Sequence, residues 1–473
     1  MSKFKPYNVD QLMLLPPSLH DYVPQDHLAR LVHKVVEQLD TTSIENKYSE
    51  LGQNTYHPKI LTKLLFYGYS VGERSGRLIA KKCESDTAYM YLAQMYKPDF
   101  RTINDFRKNN IKEISQYFVD IVRMCKELGL INVGQINIDS TKIRANASDK
   151  MSKTRKEYDE WTKKINKKVD DILREADDVD AKEDVLYGDK RGDELPEEIN
   201  TEEKLNKRLR EISKRFKGDD ADEKINSTDP DARFMKTSGR IGMSYNCHAA
   251  VTENQIIVNS AISLDANDKS GFKSVVEGTE KILEEDIKEI AADAGYSSFD
   301  NYEYLEKNGK VGYIPDGRNI IKKDPGGGYG REKFMYQETS DTYICPEGKK
   351  LTLFKTRNRR YGDRRSMVKT YKGKKCSECM KRELCTIQEQ RTVEREDRQG
   401  LRDRMRARLE TAAGREKYLK RMCTIEPVFG HLKHNLGYRY FLLRTVEKVK
   451  AEFRLMCIGS NLAKMNRLLP IMS

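Results

Sequence analysis

Three acids far apart in the chain, Asp139, Asp293 and Glu426, stand where a carboxylate can do chemistry. Asp139 lies in QINIDSTKIRANA, from Gln135 to Ala147, where Ile136, Ile138 and Ile143 mark a buried strand and the acid leaves the core. A carboxylate so placed costs free energy unless a metal ion, a basic partner or solvent meets it. Asp293 ends a second short strand in IKEIAADAGY, from Ile287 to Tyr296, and enters a turn at Gly295. Glu426 belongs to TIEPVFGHLK, from Thr424 to Lys433, an apolar and basic stretch. Three carboxylates from separate elements can hold two divalent cations, Mg²⁺ or Mn²⁺, about 3.5–4 Å apart, as used for in-line attack on a phosphodiester. Each acid taken alone is more simply a turn cap; Asp265, Asn267 and Asp268 in LDANDKS could also reach toward metal or DNA, but a turn after the third strand explains them more simply.

The elements that must position these acids follow a recognisable order. After the Asp139 strand and a long charged insertion come SYNCHAAVTE and IIVNSAISL, a hairpin turning at Glu253 and Asn254. A helix from Gly271, a strand ending at Ala292, a helix from Phe299 to Lys307 and a strand from Val311 complete the series βββαβαβ, followed by a later helix. This order predicts an α/β ribonuclease H-like core, in which acids on the first strand, after the fourth strand and on the closing helix converge. The predicted units are a helical N-terminal domain over 1–130, a core made of 131–148 and 230–320, a charged helical-hairpin insertion over 149–229, a basic Cys-containing insertion over 321–400, and closing helices over 401–473.

The chain has 473 residues and a net charge of +13, unevenly spread. Between Lys349 and Arg421 there are 25 Lys or Arg against 10 Asp or Glu, so the rest of the chain is slightly acidic. A basic surplus confined to one stretch predicts phosphate-backbone contact, with a solvated basic loop as the alternative. No secretory signal and no apolar run long enough for a membrane span are present, and the nine cysteines make an odd number. Together these predict a cytoplasmic protein without a disulfide framework.

Proline-rich residues 1 to about 25 predict an extended arm, and from Asp26 to Leu130 the pattern is helical, with Thr102 as a cap before INDFRKNN. Short turns and Arg74, Arg77, Lys81, Lys82, Arg101, Arg107 and Lys108 match a helix-turn-helix-like DNA reader. In the charged insertion Tyr158, Trp161, Ile165, Val169 and Ile172 form one apolar stripe, and Leu205, Leu209, Ile212 and Phe216 another, which predicts paired helices. Trp161, the only tryptophan, fits packing within that stripe better than stacking on a flipped base. The basic insertion opens on Gly326 to Gly328 and presents Cys345, Cys376, Cys379 and Cys385, either a structural zinc site or four unligated thiols. Cys83, Cys125, Cys247, Cys423 and Cys457 are expected to be buried apolar side chains. A helix from Leu401 to Glu410 should stop near Gly414, and Val446 to Leu468 should form a last amphipathic helix. Lys433 follows Glu426 by two helical turns, so the two share a face. Pro427 fits either a first helical turn capped by Thr424 or a kink beside the acid.

Taken together, NIDSTKIRANAS, DPDARFM, YNCHAAV, LDANDKSGF, ADAGYSS, YICPEGKKL, CSECMKRELC, TIEPVFGHLKHNLGYRYFLLR and RTVEKVKAEF resemble a bacterial insertion-sequence transposase of the DDE class over nearly the whole chain. The resemblance implies that Asp139, Asp293 and Glu426 are catalytic and hold the metal. It implies too that the helical N-terminal part is an accessory DNA-binding domain, and that the Cys-bearing insert belongs to the pattern. A related signature spaces Tyr, Arg, Glu and Lys by two, three and six residues. Here Tyr418, Arg421, Glu426 and Lys433 are spaced by two, four and six. The expected partners are duplex DNA at transposon ends and target DNA, with Arg421, Lys433, Arg439 and Arg444 on phosphates, and a homodimer bridging two ends.

Overall fold

The computed structural model describes residues 18–48, 55–161, 202–216, 223–237, 239–316, 328–361 and 364–472. Most of the extended arm, the stripe residues Ile165, Val169 and Ile172, and Gly326 and Gly327 lie outside them.

The N-terminal region is helical: α1 (Leu28–Gln38), α2 (Pro58–Val71), α3 (Gly76–Ser85), α4 (Phe100–Asn109) and α5 (Ile111–Glu127), with shorter helices between. Helix α2 is apolar on nearly every face and is correspondingly buried from Ile60 to Ser70. Helix α4 is capped not by Thr102 but by Asp99, whose carboxylate accepts the Thr102 N–H at 2.9 Å. Asp99 is itself extended, as an N-cap residue is before the chain turns into the helix.

A mixed sheet follows, built from β1 (Gln135–Arg144), β2 (Arg233–Thr237), β3 (Arg240–Val251), β4 (Ile257–Ser263), β5 (Glu289–Ala292) and β6 (Val311–Tyr313). Its order is β2–β3–β1–β5–β6, with β4 pairing β3 beside β2. Strand β3 is antiparallel to β1, whereas β5 runs parallel to β1 and β6 parallel to β5. The crossovers are α6 (Gly271–Leu283) and α7 (Phe299–Lys307).

Within the charged insertion, Tyr158, Leu209, Ile212, Phe216 and Ile225 form a small buried cluster against which Trp161 packs. A second sheet, β11–β10–β9–β8–β7, occupies the basic insertion: β7 (Met335–Gln337), β8 (Thr342–Ile344), β9 (Lys350–Tyr361), β10 (Arg364–Gly373) and β11 (Thr392–Glu396). The chain closes with α8 (Gln399–Glu410), α9 (Ala412–Gly430), one π-helical turn (His431–Asn435) and α10 (Val446–Met472).

Gly414 does not stop a helix. Thr411 breaks the chain and caps α9, its hydroxyl accepting the Gly414 N–H at 3.0 Å. A Cβ on Gly414 would lie 2.0 Å from the Arg408 carbonyl oxygen, so the tight α8–α9 corner requires glycine. Pro427 lies well inside α9, not in its first turn. Its missing N–H leaves the Cys423 carbonyl without a helical donor, and Gln255 Nε2 fills the place at 2.9 Å. Cys423 itself is exposed, against expectation, on the outer side of this helix, while Cys83, Cys125, Cys247 and Cys457 are buried.

One continuous apolar core runs from Val23 to Met465 through the N-terminal helices, the mixed sheet and α10. Asn461 of α10 docks on the edge strand β4, exchanging two 2.8 Å hydrogen bonds with the Ile257 backbone. Glu452, fully buried, accepts the Leu442 and Leu443 amides and faces Arg74 at 3.4 Å. Arg74 also donates to the Tyr440 carbonyl, and Arg107 to Tyr69 and to the Arg74 carbonyl. Both arginines are buried structural bridges, so they leave the set of N-terminal basic residues expected to face DNA.

Candidate active site

The parallel pairing of β1 with β5 ends at Ile138 opposite Ala292. The next residue on each strand is an acid, so Asp139 and Asp293 leave neighbouring strands, about 4.8 Å apart, at the same level. Asp139 Oδ1 accepts the Ser140 N–H at 2.7 Å, and Asp293 caps the following turn by accepting the Gly295 N–H at 2.9 Å. Helix α9 brings the third acid. Arg421 reaches across with Nη1 on Asp139 Oδ2 at 2.7 Å and Nη2 on Glu426 Oε1 at 3.0 Å. The guanidinium therefore ties the strand acid to the helix acid, with the Tyr418 ring 5.7 Å away.

Burial, with the Asp293 charge beside it, pushes Asp139 up to about 6 despite Arg421. Asp293 is also raised, first by burial, with Arg421 opposing. Burial would lower Arg421, but Asp139 and its neighbours hold it above its ordinary value. Lys433, in the π-helical turn, is lowered by burial and by Lys142, with the Asp139 charge acting the other way.

Asp139, Asp293, Glu426, Arg421 and Lys433 thus gather at one end of the sheet. Arg439 is exposed beside the end of β1, its carbonyl accepting the Arg144 N–H at 3.1 Å. Arg444 is tied to the Asn146 carbonyl at 2.9 Å, which makes it a brace for the chain leaving β1.

Asp268, for which the sequence favoured a turn over a reach toward metal or DNA, joins the cluster. Its Oδ1 accepts Ser140 Oγ and Asn246 Nδ2 at 2.7 Å and Lys142 Nζ at 3.4 Å. Burial alone would raise it, but these donors bring it below the usual carboxylate range. A Cβ at Gly295 would meet Asp268 Oδ2 at 2.6 Å and Asp293 Oδ1 at 3.0 Å, so the space between the two carboxylates admits no side chain. Lys142, two residues beyond Ser140 on the same face of β1, carried no sequence signal beyond its place on the Asp139 strand.

The donors are carboxylate oxygens, which suit a hard divalent cation. Cys345, Cys376, Cys379 and Cys385 line one cavity elsewhere, beside Phe334 and Leu351, with the Lys349 N–H donating to Cys345 Sγ at 3.3 Å. As the side chains stand, no three His, Cys, Asp or Glu among the described residues are grouped to hold a metal ion, and Arg421 supplies the charge between Asp139 and Glu426.

Two family models match the chain. Residues 17–109 match a transposase domain of the family DUF772, and residues 344–466, which include Glu426, match a transposase DDE domain. No curated protein and no solved structure matches. A helical N-terminal region, a mixed α/β core and these two matched domains are consistent with a transposase. The two matches support an insertion-sequence transposase of the DDE class.

Proposed function

We propose that this transposase binds the ends of its own insertion sequence and that Asp139, Asp293 and Glu426 hold divalent cations, Mg²⁺ or Mn²⁺, for phosphodiester cleavage and strand transfer. The observation that carries this reading is the departure of Asp139 and Asp293 from adjacent parallel strands at one level, with Glu426 joined to Asp139 through Arg421. The strand order β4–β3–β1–β5–β6 supports reading the core as ribonuclease H-like.

Asp139, Asp293 and Glu426 would hold the cations, which would supply activation of the attacking hydroxyl and stabilisation of the leaving 3′ oxygen. The chain's own residues prepare for them. Buried acids held above their ordinary range concentrate negative charge that a cation relieves. Lys142 and Lys433, beside the acids, are placed to neutralise a phosphate, and exposed Arg439 extends that track. Arg444 acts through Asn146, by holding the β1 exit in place. A homodimer bridging two DNA ends completes the reading. The four thiols line one cavity, and a structural zinc ion there would require their side chains to close around it, since no three stand grouped for a metal ion among the described residues. Metal analysis should then find about one zinc per chain, lost in a Cys376→Ser, Cys379→Ser double variant. Finding no zinc in the wild type would remove that assignment.

Purified protein, Mg²⁺ and a plasmid carrying the DNA that flanks the gene test the main claim. Cleavage at the element ends with joining to new DNA, absent in Asp293→Ala, is expected. Cleavage without joining would make the chain a nuclease or resolvase, and binding indifferent to divalent metal would make it a non-catalytic DNA-binding protein.

A further inference from the structure

Strands β9 and β10 run beyond the rest of their sheet. Strand β8 pairs only Lys350 and Leu351 of β9, and β11 pairs only Val368 to Lys372 of β10. From Lys355 to Tyr361 on one side and Arg364 to Met367 on the other, the two strands have each other as their strand partners. At about 3.4 Å per residue the free part of β9 is roughly 20 Å long. Every residue from Thr352 to Arg360 is exposed, including Phe354, with Lys372 Nζ 4.8 Å from its ring centroid.

The charge on this ribbon is nearly all positive. Between Lys350 and Gly373 there are nine Lys or Arg and one Asp. Glu394 draws Arg357 at 2.5 Å and Arg359 at 3.8 Å, and Asp341 takes Lys369 at 2.8 Å. Among the described residues no acid pairs with Lys355 or Arg365. Arg360 stands directly opposite Arg365 in the register, although like charges across a strand pair are destabilising. Charged edges also keep strands from pairing with other chains, but either sign serves that purpose. So large a positive excess on an exposed two-stranded ribbon fits a polyanion, and the major groove of duplex DNA, about 12 Å wide, admits such a ribbon.

We propose that the hairpin Lys350–Gly373 is an arm that enters the major groove of duplex DNA and grips its phosphates. The proposal rests on the reading of this chain as a DNA transposase. The arm is fixed to the catalytic end of the molecule: Arg395 of β11 donates to Asp403 of α8 at 2.6 Å, and α8 turns at Thr411 directly into α9. Duplex held by the arm is therefore held relative to Glu426.

The test uses the full chain and a duplex carrying the DNA that flanks the gene, with affinity measured across a range of salt. A Lys355→Gln, Arg365→Gln variant removes two exposed charges outside the active site. A Lys273→Gln, Lys307→Gln variant removes two from α6 and α7 as control. The slope of log affinity against log salt should become shallower by about 1.8 in the hairpin variant, two phosphates at about 0.9 each, and stay as in the wild type in the control. An unchanged slope in the hairpin variant, or an equal change in both, would overturn the proposal. So would a hairpin variant that changes only self-association, since the arm would then cover a second copy of the chain. Wild-type protein that shows no salt-dependent duplex binding would instead sink the DNA reading beneath it.

Discussion

Asp139 sets a pH edge. Its carboxyl is raised to about 6 by burial and by Asp293, so the fold binds this proton more tightly than the unfolded chain does. Ionising it as pH rises through about 6 costs stability, and a cation at the carboxylates offsets that cost. The rise in Tm produced by Mg²⁺ should therefore be present at neutral pH, shrink as pH falls through about 6, and be absent in Asp139→Asn. A Mg²⁺ effect that ignores pH or survives Asp139→Asn would contradict the assignment. Glu452 makes a structural counterpart. Its carboxylate serves two amides and Arg74 in the core, so Glu452→Ala should cost about 3–5 kcal/mol in denaturant unfolding. A loss near zero would show that the buried pair is dispensable. The three acids could be picked out in the sequence because each interrupts or ends an apolar run. For Asp268 the turn reading outranked a reach toward metal or DNA, since a short polar turn looks the same whether it closes on itself or holds Ser140 and Lys142. Arg74 and Arg107 were misread because sequence does not separate an arginine facing solvent from one bridging buried carbonyls.

At the scale of elements, period and turn chemistry carried the mixed sheet and its helices, with α7 falling over Phe299–Lys307 as the pattern predicts. The second sheet was invisible for a physical reason. Its apolar cluster is only Phe334, Tyr343, Leu351, Tyr371 and Val393, and β9 carries basic residues on both faces, so no period-two signal survives. The α8–α9 corner was missed because Gly414 looks like a helix stop and works as a contact surface. Gly414→Ala should destabilise the protein by about 1–3 kcal/mol, since a Cβ 2.0 Å from a backbone oxygen forces the two helices apart. An unchanged or raised Tm would mean that the corner relaxes freely, with the helix propensity of alanine prevailing.

At the scale of the molecule, one apolar cluster among the described residues joins the N-terminal helices to the mixed sheet. Helix α10 packs against α2, α5 and β4 together, and the Tyr438 hydroxyl donates to the Tyr69 carbonyl. A chain trimmed to residues 131–473 should show no cooperative thermal transition, because α10 would lose one of its two supports. A sharp transition would show that the core folds alone. Among the described residues no helix is long and apolar enough to cross a membrane.

The central claim is that Asp139, Asp293 and Glu426 act as one site, and single-turnover cleavage of a labelled element end tests it most directly. Asp139→Asn, Asp293→Asn and Glu426→Gln should each reduce the rate to the level of the triple variant while leaving duplex binding within a few-fold of wild type, as expected for residues that work as a unit. A single variant that retains substantial cleavage, or three losses that simply multiply in the triple, would contradict a shared site.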